Sequence, residues 1–114
     1  MSKRLHILQA NLKKMPETQM SLLNDEGLKD CGLLLISEPY CCRIDGKPVV
    51  VPQTHHYWTA ILPSQQRETR WPFRSMTWVH RNIEAKQVPV DHADVTAVLV
   101  RLPSRLILVF SVEG

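Results

Sequence analysis

Leu33-Leu34-Leu35-Ile36-Ser37-Glu38-Pro39-Tyr40 is an unbroken apolar run that ends in a carboxylate followed at once by proline. Gly32 precedes it and Pro39 closes it, so the run reads as a short strand buried on both faces. A carboxylate is costly in such surroundings, which places Glu38 where the strand emerges, at the C-terminal edge of its sheet. Proline donates no ladder hydrogen bond and restricts the residue before it, so Pro39 is expected to hold Ser37-Glu38 extended. The stretch therefore predicts an acid presented at a fixed point on a rigid scaffold.

Working back toward the N-terminus, Leu5 to Asn11 alternates. Leu5, Ile7, Gln9 and Asn11 share one face and His6, Leu8 and Ala10 the other, which predicts a first strand ending at Asn11. Lys13 and Lys14 fall in a loop. Pro16 suits the first turn of a helix, with Glu17 beside it to complement the positive end of the dipole. Met20, Leu23, Gly27, Leu28 and Cys31 recur near helical spacing and are expected to face inward, with Gln19, Asn24, Asp25 and Lys29 outward. Gly32 is the expected helix stop.

The first forty residues thus form a strand–helix–strand unit. Such crossovers are right-handed and leave their two strands parallel. Parallel strands finish on one edge of the sheet, and sheets of this kind bind ligands outside their strand C-termini. As direct neighbours the strands would bring Asn11 and Glu38 to about 5 Å of each other at their starting points. Asn11 and Glu38 are the candidate site.

The remainder reads as strands and loops. Cys41 to Gln53 is expected to be loop-like around Asp45-Gly46, with a short strand at Val49-Val50-Val51. Tyr57 to Leu62 and Met76 to His80 read as strands. The clearest hairpin is Val95–Leu102, a Pro103-Ser104 turn and Leu106–Val112. Arg67, Arg70 and Arg74 with Trp71 and Phe73 mix cations and aromatics as nucleic-acid binders do, although a surface loop capping a sheet has the same composition.

Length and composition bound the function classes. The 114 residues suffice for one domain, 1–114. A formal net charge of +3, from 14 Lys+Arg against 11 Asp+Glu, is compatible with a nucleic-acid partner without demanding one. Three cysteines make no disulfide framework. Met1 to His6 is followed by no apolar stretch of signal-peptide length, and no run is long enough to span a membrane. These features give an expected intracellular location, cytoplasmic or nuclear. A zinc site from Cys41, Cys42, His55, His56, His80 and His92 is disfavoured, because no Cys-x-x-Cys pair occurs and adjacent ligands strain tetrahedral geometry. Asp91-His92-Ala93-Asp94 lacks any nucleophile elbow to make it a hydrolase triad.

Leu8-Gln9-Ala10-Asn11 on a first strand, a helix, then Ser37-Glu38-Pro39-Tyr40 on a second resembles the opening of the endonuclease/exonuclease/phosphatase superfamily, the DNase I-like metal-dependent phosphodiesterases. Arg74-Ser75-Met76-Thr77-Trp78-Val79 and the Arg101-Leu102-Pro103-Ser104-Arg105 hairpin are similar to endonuclease domains of non-LTR (LINE-type) retrotransposons, particularly fungal ones. The resemblance implies an α/β (α+β) fold, a partial DNase I-like sandwich with a strand–helix–strand start and then mostly antiparallel strands. It implies that Glu38 binds a divalent metal, Mg²⁺, that Asn11 supports the phosphate and metal site, and that Tyr40, Arg67, Arg70, Trp71 and Arg74 lie against DNA.

Family domains continue with a tyrosine after a later strand, an Asp-x-Asn strand end and a terminal Asp-His pair. No Gly-Asp-x-Asn or Ser-Asp-His segment occurs here, and Glu113-Gly114 stands where the tyrosine is expected. The chain therefore reads as the N-terminal half of the domain, catalytically incomplete. The alternative is a non-catalytic remnant that binds nucleic acid or protein. A half-domain of one sheet and one helix would leave a sheet face uncovered and prone to self-association.

Overall fold

The computed structural model describes residues 5–28, 30–50, 55–64 and 73–112. Strand β1, Ile7–Asn11, runs parallel to β2, Leu33–Ser37, as its direct neighbour, with Ile7 opposite Leu33 and Asn11 opposite Ser37. Helix α1, Pro16–Leu23, and a 3₁₀ turn, Glu26–Leu28, form the crossover between them. Strand β3, Cys41–Ile44, and β4, Lys47–Val50, make a separate hairpin. Strand β5, Trp58–Ile61, and β6, Ser75–His80, complete a four-stranded sheet of order β1-β2-β6-β5. Strands β7, Glu84–Val88, β8, Val95–Leu102, and β9, Arg105–Val112, form a second, antiparallel sheet.

The apolar run at Leu33–Ile36 explains the layering. Its side chains alternate between two cores, and all four are buried. Leu34 and Ile36 join Leu12, Leu23, Met76 and Trp78 beneath the helix, while Leu33 and Leu35 join Val79, Val98, Val100, Leu102 and Val109 between the two sheets. A strand covered on both faces has no room for polar alternation, as the sequence indicates. The expectation of a single sheet is corrected: β8 and β9 belong to a second sheet that lies over β6 and β2, and it is this second sheet that leaves an apolar row, Leu106, Leu108, Phe110 and Val112, exposed on β9.

The helix departs from its expected rotation. Gln19, expected outside, is fully buried, and Met20, expected inside, is 38% exposed. The cause is polar. The Gln19 amide donates from Nε2 to Tyr40 O at 3.2 Å and accepts at Oε1 from Tyr40 N at 3.0 Å. Gln19 thereby satisfies a strand-end backbone that a methionine would leave bare. The helix also stops earlier than Gly32. It ends at Leu23, where Asn24 N bonds to Met20 O, and the Asp25 carboxylate accepts from Gly27 N at 2.8 Å. Gly32 instead immediately precedes β2, packed so closely against the Leu5 and Ile83 side chains that a Cβ there would meet a Leu5 methyl at 2.7 Å and push it aside.

Two strands were not expected. Cys41–Ile44 pairs with β4 around Asp45-Gly46, whose φ values of +52° and +79° fit a two-residue hairpin turn. Glu84–Val88 is too polar to signal a strand, yet it pairs with β8 along its whole length. Among the described residues no helix is long and apolar enough to cross a membrane.

Candidate functional site

Asn11 and Glu38 converge. The Asn11 Nδ2 donates to Glu38 Oε2 at 2.7 Å, from the ends of two adjacent parallel strands. The backbone sets this up. Leu12 N continues the ladder to Ser37 O at 3.0 Å, and Lys14 N donates to Glu38 O at 2.8 Å. Lys13 N donates to Asn11 Oδ1 at 2.8 Å, an Asx-type turn that aims the amide nitrogen at the carboxylate.

Glu38 is not extended, contrary to the expectation from Pro39; its φ is +50°. The left-handed backbone is unfavourable before proline. It is held there because Glu38 N donates to Arg74 O at 2.9 Å, its carbonyl accepts from Lys14 N, and its side chain is bound at both oxygens. Lys13 and Lys14, with φ of +51° and +57°, share this conformation, so the two loop ends are bent toward each other.

The second oxygen belongs to Lys14, whose Nζ lies 2.8 Å from Glu38 Oε1, each side chain being 28% exposed. The Lys14 ammonium, then the Asn11 amide, hold the Glu38 carboxyl below the usual carboxylate range, with a smaller contribution from the Arg74 charge. Lys14 is the residue that sequence reasoning missed. The sequence places it in the loop beyond the β1 end, but spacing does not say which loop lysine turns back to the acid. Gln19 was missed too, since a single glutamine on a helix carries no pattern.

Beside Asn11, a cleft of about 400 Å³ opens between the sheets, lined by Gln9, Ala10, Asn11, Leu35, Ser37, Ser111 and Val112. Its polar groups come from both sheets. Arg74 is exposed next to Glu38, and Tyr40 is half-buried with its backbone clamped by Gln19. Arg67, Arg70 and Trp71 lie outside the described residues.

A larger cavity, about 560 Å³, sits at the opposite end of the sheet between Asn24, Asp25, Asp30, His55, Tyr57 and His80. His55 Nδ1 accepts from Tyr57 N, leaving Nε2 to donate to Asn24 Oδ1 at 3.1 Å. Burial, then the neighbouring His56 and Arg81, push the His55 pKa down and favour this neutral ring. This cavity lies apart from the Asn11–Glu38 pair. Cys41 is buried in the helix-side core, and burial pushes its thiol pKa up. Among the described residues no group of three or more His, Cys, Asp or Glu is placed to hold a metal.

No protein-family model matches the chain. No curated protein matches it either. Among solved structures, the endonuclease domain of TRAS1, a telomere-specific non-LTR retrotransposon, matches with a TM-score of 0.71 at 16% sequence identity over 96% of this chain. The fold is a partial DNase I-like α/β sandwich. The chain spans 44% of that endonuclease domain.

Proposed function

We propose that this chain is the first part of a Mg²⁺-dependent DNA endonuclease domain of the non-LTR (LINE-type) retrotransposon kind, fungal-like in its motifs, and that it is inactive alone. The observation that carries the reading is the Asn11–Glu38 pair at the C-terminal ends of adjacent parallel strands, 2.7 Å apart within the shared fold. The donor set suits a hard cation. Glu38 already binds the Lys14 ammonium at one oxygen, and magnesium accepts one carboxylate while keeping several waters. Glu38 would be the protein ligand, and Asn11 would fix the carboxylate and reach a phosphate oxygen. Such a metal supplies charge neutralisation on the phosphoryl group. Tyr40, Arg74 and, by sequence, Arg67, Arg70 and Trp71 would lie along the DNA backbone.

Proton management is the missing part. No Gly-Asp-x-Asn or Ser-Asp-His segment occurs in the sequence, and Glu113-Gly114 stands where the resembled family has its later tyrosine. Losing a general base costs about 100- to 10,000-fold, and losing phosphate contacts costs more. One observation favours the alternative, a non-catalytic nucleic-acid-binding remnant: Lys14 already neutralises Glu38.

The test uses the purified chain and its Glu38→Ala variant. Plasmid nicking with Mg²⁺ is expected to stay at buffer background for both. Mn²⁺ is expected to broaden the Asn11 and Glu38 NMR resonances in the parent and to leave Asn11 sharp in the variant. Robust nicking abolished by Glu38→Ala would refute the inactivity, and absence of broadening would refute the metal site. Binding to duplex DNA is expected to be weak and to fall steeply with salt.

A further inference from the structure

Both carboxylate oxygens of Glu38 are bound from within the chain. Asn11 Nδ2 donates to Oε2 at 2.7 Å, and Lys14 Nζ lies 2.8 Å from Oε1. The two partners differ in kind. Asn11 is a neutral amide whose own oxygen accepts from Lys13 N, so it belongs to the frame of the site. Lys14 brings a compact point charge on a flexible stem. It also reaches Glu38 twice, because its backbone N–H donates to Glu38 O at 2.8 Å and its ammonium to the side chain. The backbone bond does not need the ammonium, so the loop keeps that anchor when the side chain moves.

The ammonium stands where a hard cation would be served. Oε2 is committed to the Asn11 amide, which leaves Oε1 as the oxygen for a magnesium ion that takes one carboxylate and keeps its waters. The Lys14 and Glu38 side chains are each 28% exposed, so the ammonium has a way out to solvent. An ion pair so open to water is held weakly. A doubly charged ion is attracted to the same oxygen more strongly than a single ammonium is. Lys13 has a different part: it gives the site its backbone N–H, and its side chain is exposed.

We propose that Lys14 is the exchange residue of the site: its ammonium holds Glu38 Oε1 and gives it up when a divalent cation binds, a step that rests on the metal-site reading of Glu38 given above. The affinity for the cation is then set by competition with the chain's own lysine. Charge favours exchange over simple addition. Arg74, whose carbonyl accepts from Glu38 N, brings a second positive charge to the same residue. A divalent ion added beside an intact Lys14–Glu38 pair would meet two cations against one carboxylate. With the ammonium withdrawn, the carboxylate is left to the ion, still oriented by Asn11 at Oε2. Lys14 is thus a positioning residue that keeps the acid turned toward Asn11 and yields its place.

An NMR titration of the chain with Mg²⁺ alone tests it, following the Asn11 side-chain amide and the Lys14 Cε–Hε resonances. In the parent, the Lys14 resonances are expected to move toward those of an exposed lysine in step with the Asn11 amide. Lys14→Met is expected to bind Mg²⁺ about tenfold more tightly than the parent. Lys14→Arg keeps the charge and is expected to bind no more tightly than the parent. Lys13→Met removes an equal charge one residue away and is expected to stay within about threefold of the parent, since exposed charges are screened. Glu38→Ala separates the exchange from the metal site. Binding lost in Glu38→Ala but equal in Lys14→Met and the parent would overturn the exchange and keep the site. Asn11 shifts that survive Glu38→Ala, or that are absent from the parent and Lys14→Met alike, would overturn both. Lys14 resonances that stay put while Asn11 responds would overturn the exchange in the parent chain itself.

Discussion

Replacing Gln19 by leucine tests whether a buried polar clamp positions the candidate site. Leucine nearly preserves the volume and the helix propensity, so packing and local helicity change little. What disappears is both hydrogen bonds to Tyr40, leaving its N–H and C=O without their partners. Each orphaned backbone group costs about 1–3 kcal/mol when buried. Tyr40 is half-buried, so water recovers part of this, and the expected loss is about 2–3 kcal/mol. Against a total of about 5–15 kcal/mol that is a large fraction. It corresponds to a drop of roughly 10 °C in midpoint for a domain of this size. Urea melts of the parent, of Gln19→Leu and of Thr18→Ala, an exposed helix neighbour, read the difference; the Thr18→Ala variant is expected within about 0.5 kcal/mol of the parent. A second readout ties the clamp to the site. If Gln19 holds the Glu38–Tyr40 segment in place, NMR titration of the Glu38 carboxyl in Gln19→Leu moves back toward the ordinary glutamate value. A loss below about 0.5 kcal/mol, or an unshifted Glu38 titration in the folded variant, would refute the reasoning.

Glu38 also predicts a pH dependence. Its folded pKa is depressed, so the stability it contributes is present above the unfolded carboxyl pKa and is lost as pH falls through the folded value. Lys14→Met removes the largest cause, so urea midpoints measured down into the acid range should depend less on pH in that variant, and its Glu38 should titrate higher by NMR. Thr77 Oγ1 is buried without a hydrogen-bond partner among the described residues, so Thr77→Val is expected to be neutral or to raise stability by up to about 1 kcal/mol in thermal melts.

The fold was legible wherever burial wrote a pattern. Leu33–Ile36 announced a strand covered on both faces, and the alternation of Leu5–Asn11 with Pro16 beyond it announced the parallel crossover. Val95–Leu102 and Leu106–Val112 read as a hairpin because both strands are long and apolar on their inner faces. Cys41–Ile44 and Glu84–Val88 left no such mark, since each is an edge element whose polar side chains face water. The helix end at Leu23 was obscured by Leu28 and Cys31, which continue the apolar spacing but pack from the turn that follows. Convergence of Asn11 and Glu38 followed from topology alone, whereas the ion pair with Lys14 depends on a loop conformation that spacing does not encode.

That loop conformation bears on function. Among the described residues, four non-glycine positions have positive φ, and three of them, Lys13, Lys14 and Glu38, surround the candidate site. The fourth, Asp45, occupies a hairpin turn that calls for that geometry. A turn does not account for Glu38, which precedes proline and would relax to an extended backbone if only local preference acted. Its conformation persists because Arg74 O, Lys14 N, Asn11 Nδ2 and Lys14 Nζ all bind it. Relaxation toward the extended form would swing the carboxylate away from Asn11 and break these bonds together. Strain held by surrounding contacts collects where a side chain must be presented in one orientation. A strand-end glutamate that served only solubility would have no use for it. Under the proposed function that strain presents the Glu38 carboxylate to its ligand, and Lys14, which holds Glu38 Oε1, is the residue whose replacement tests the idea.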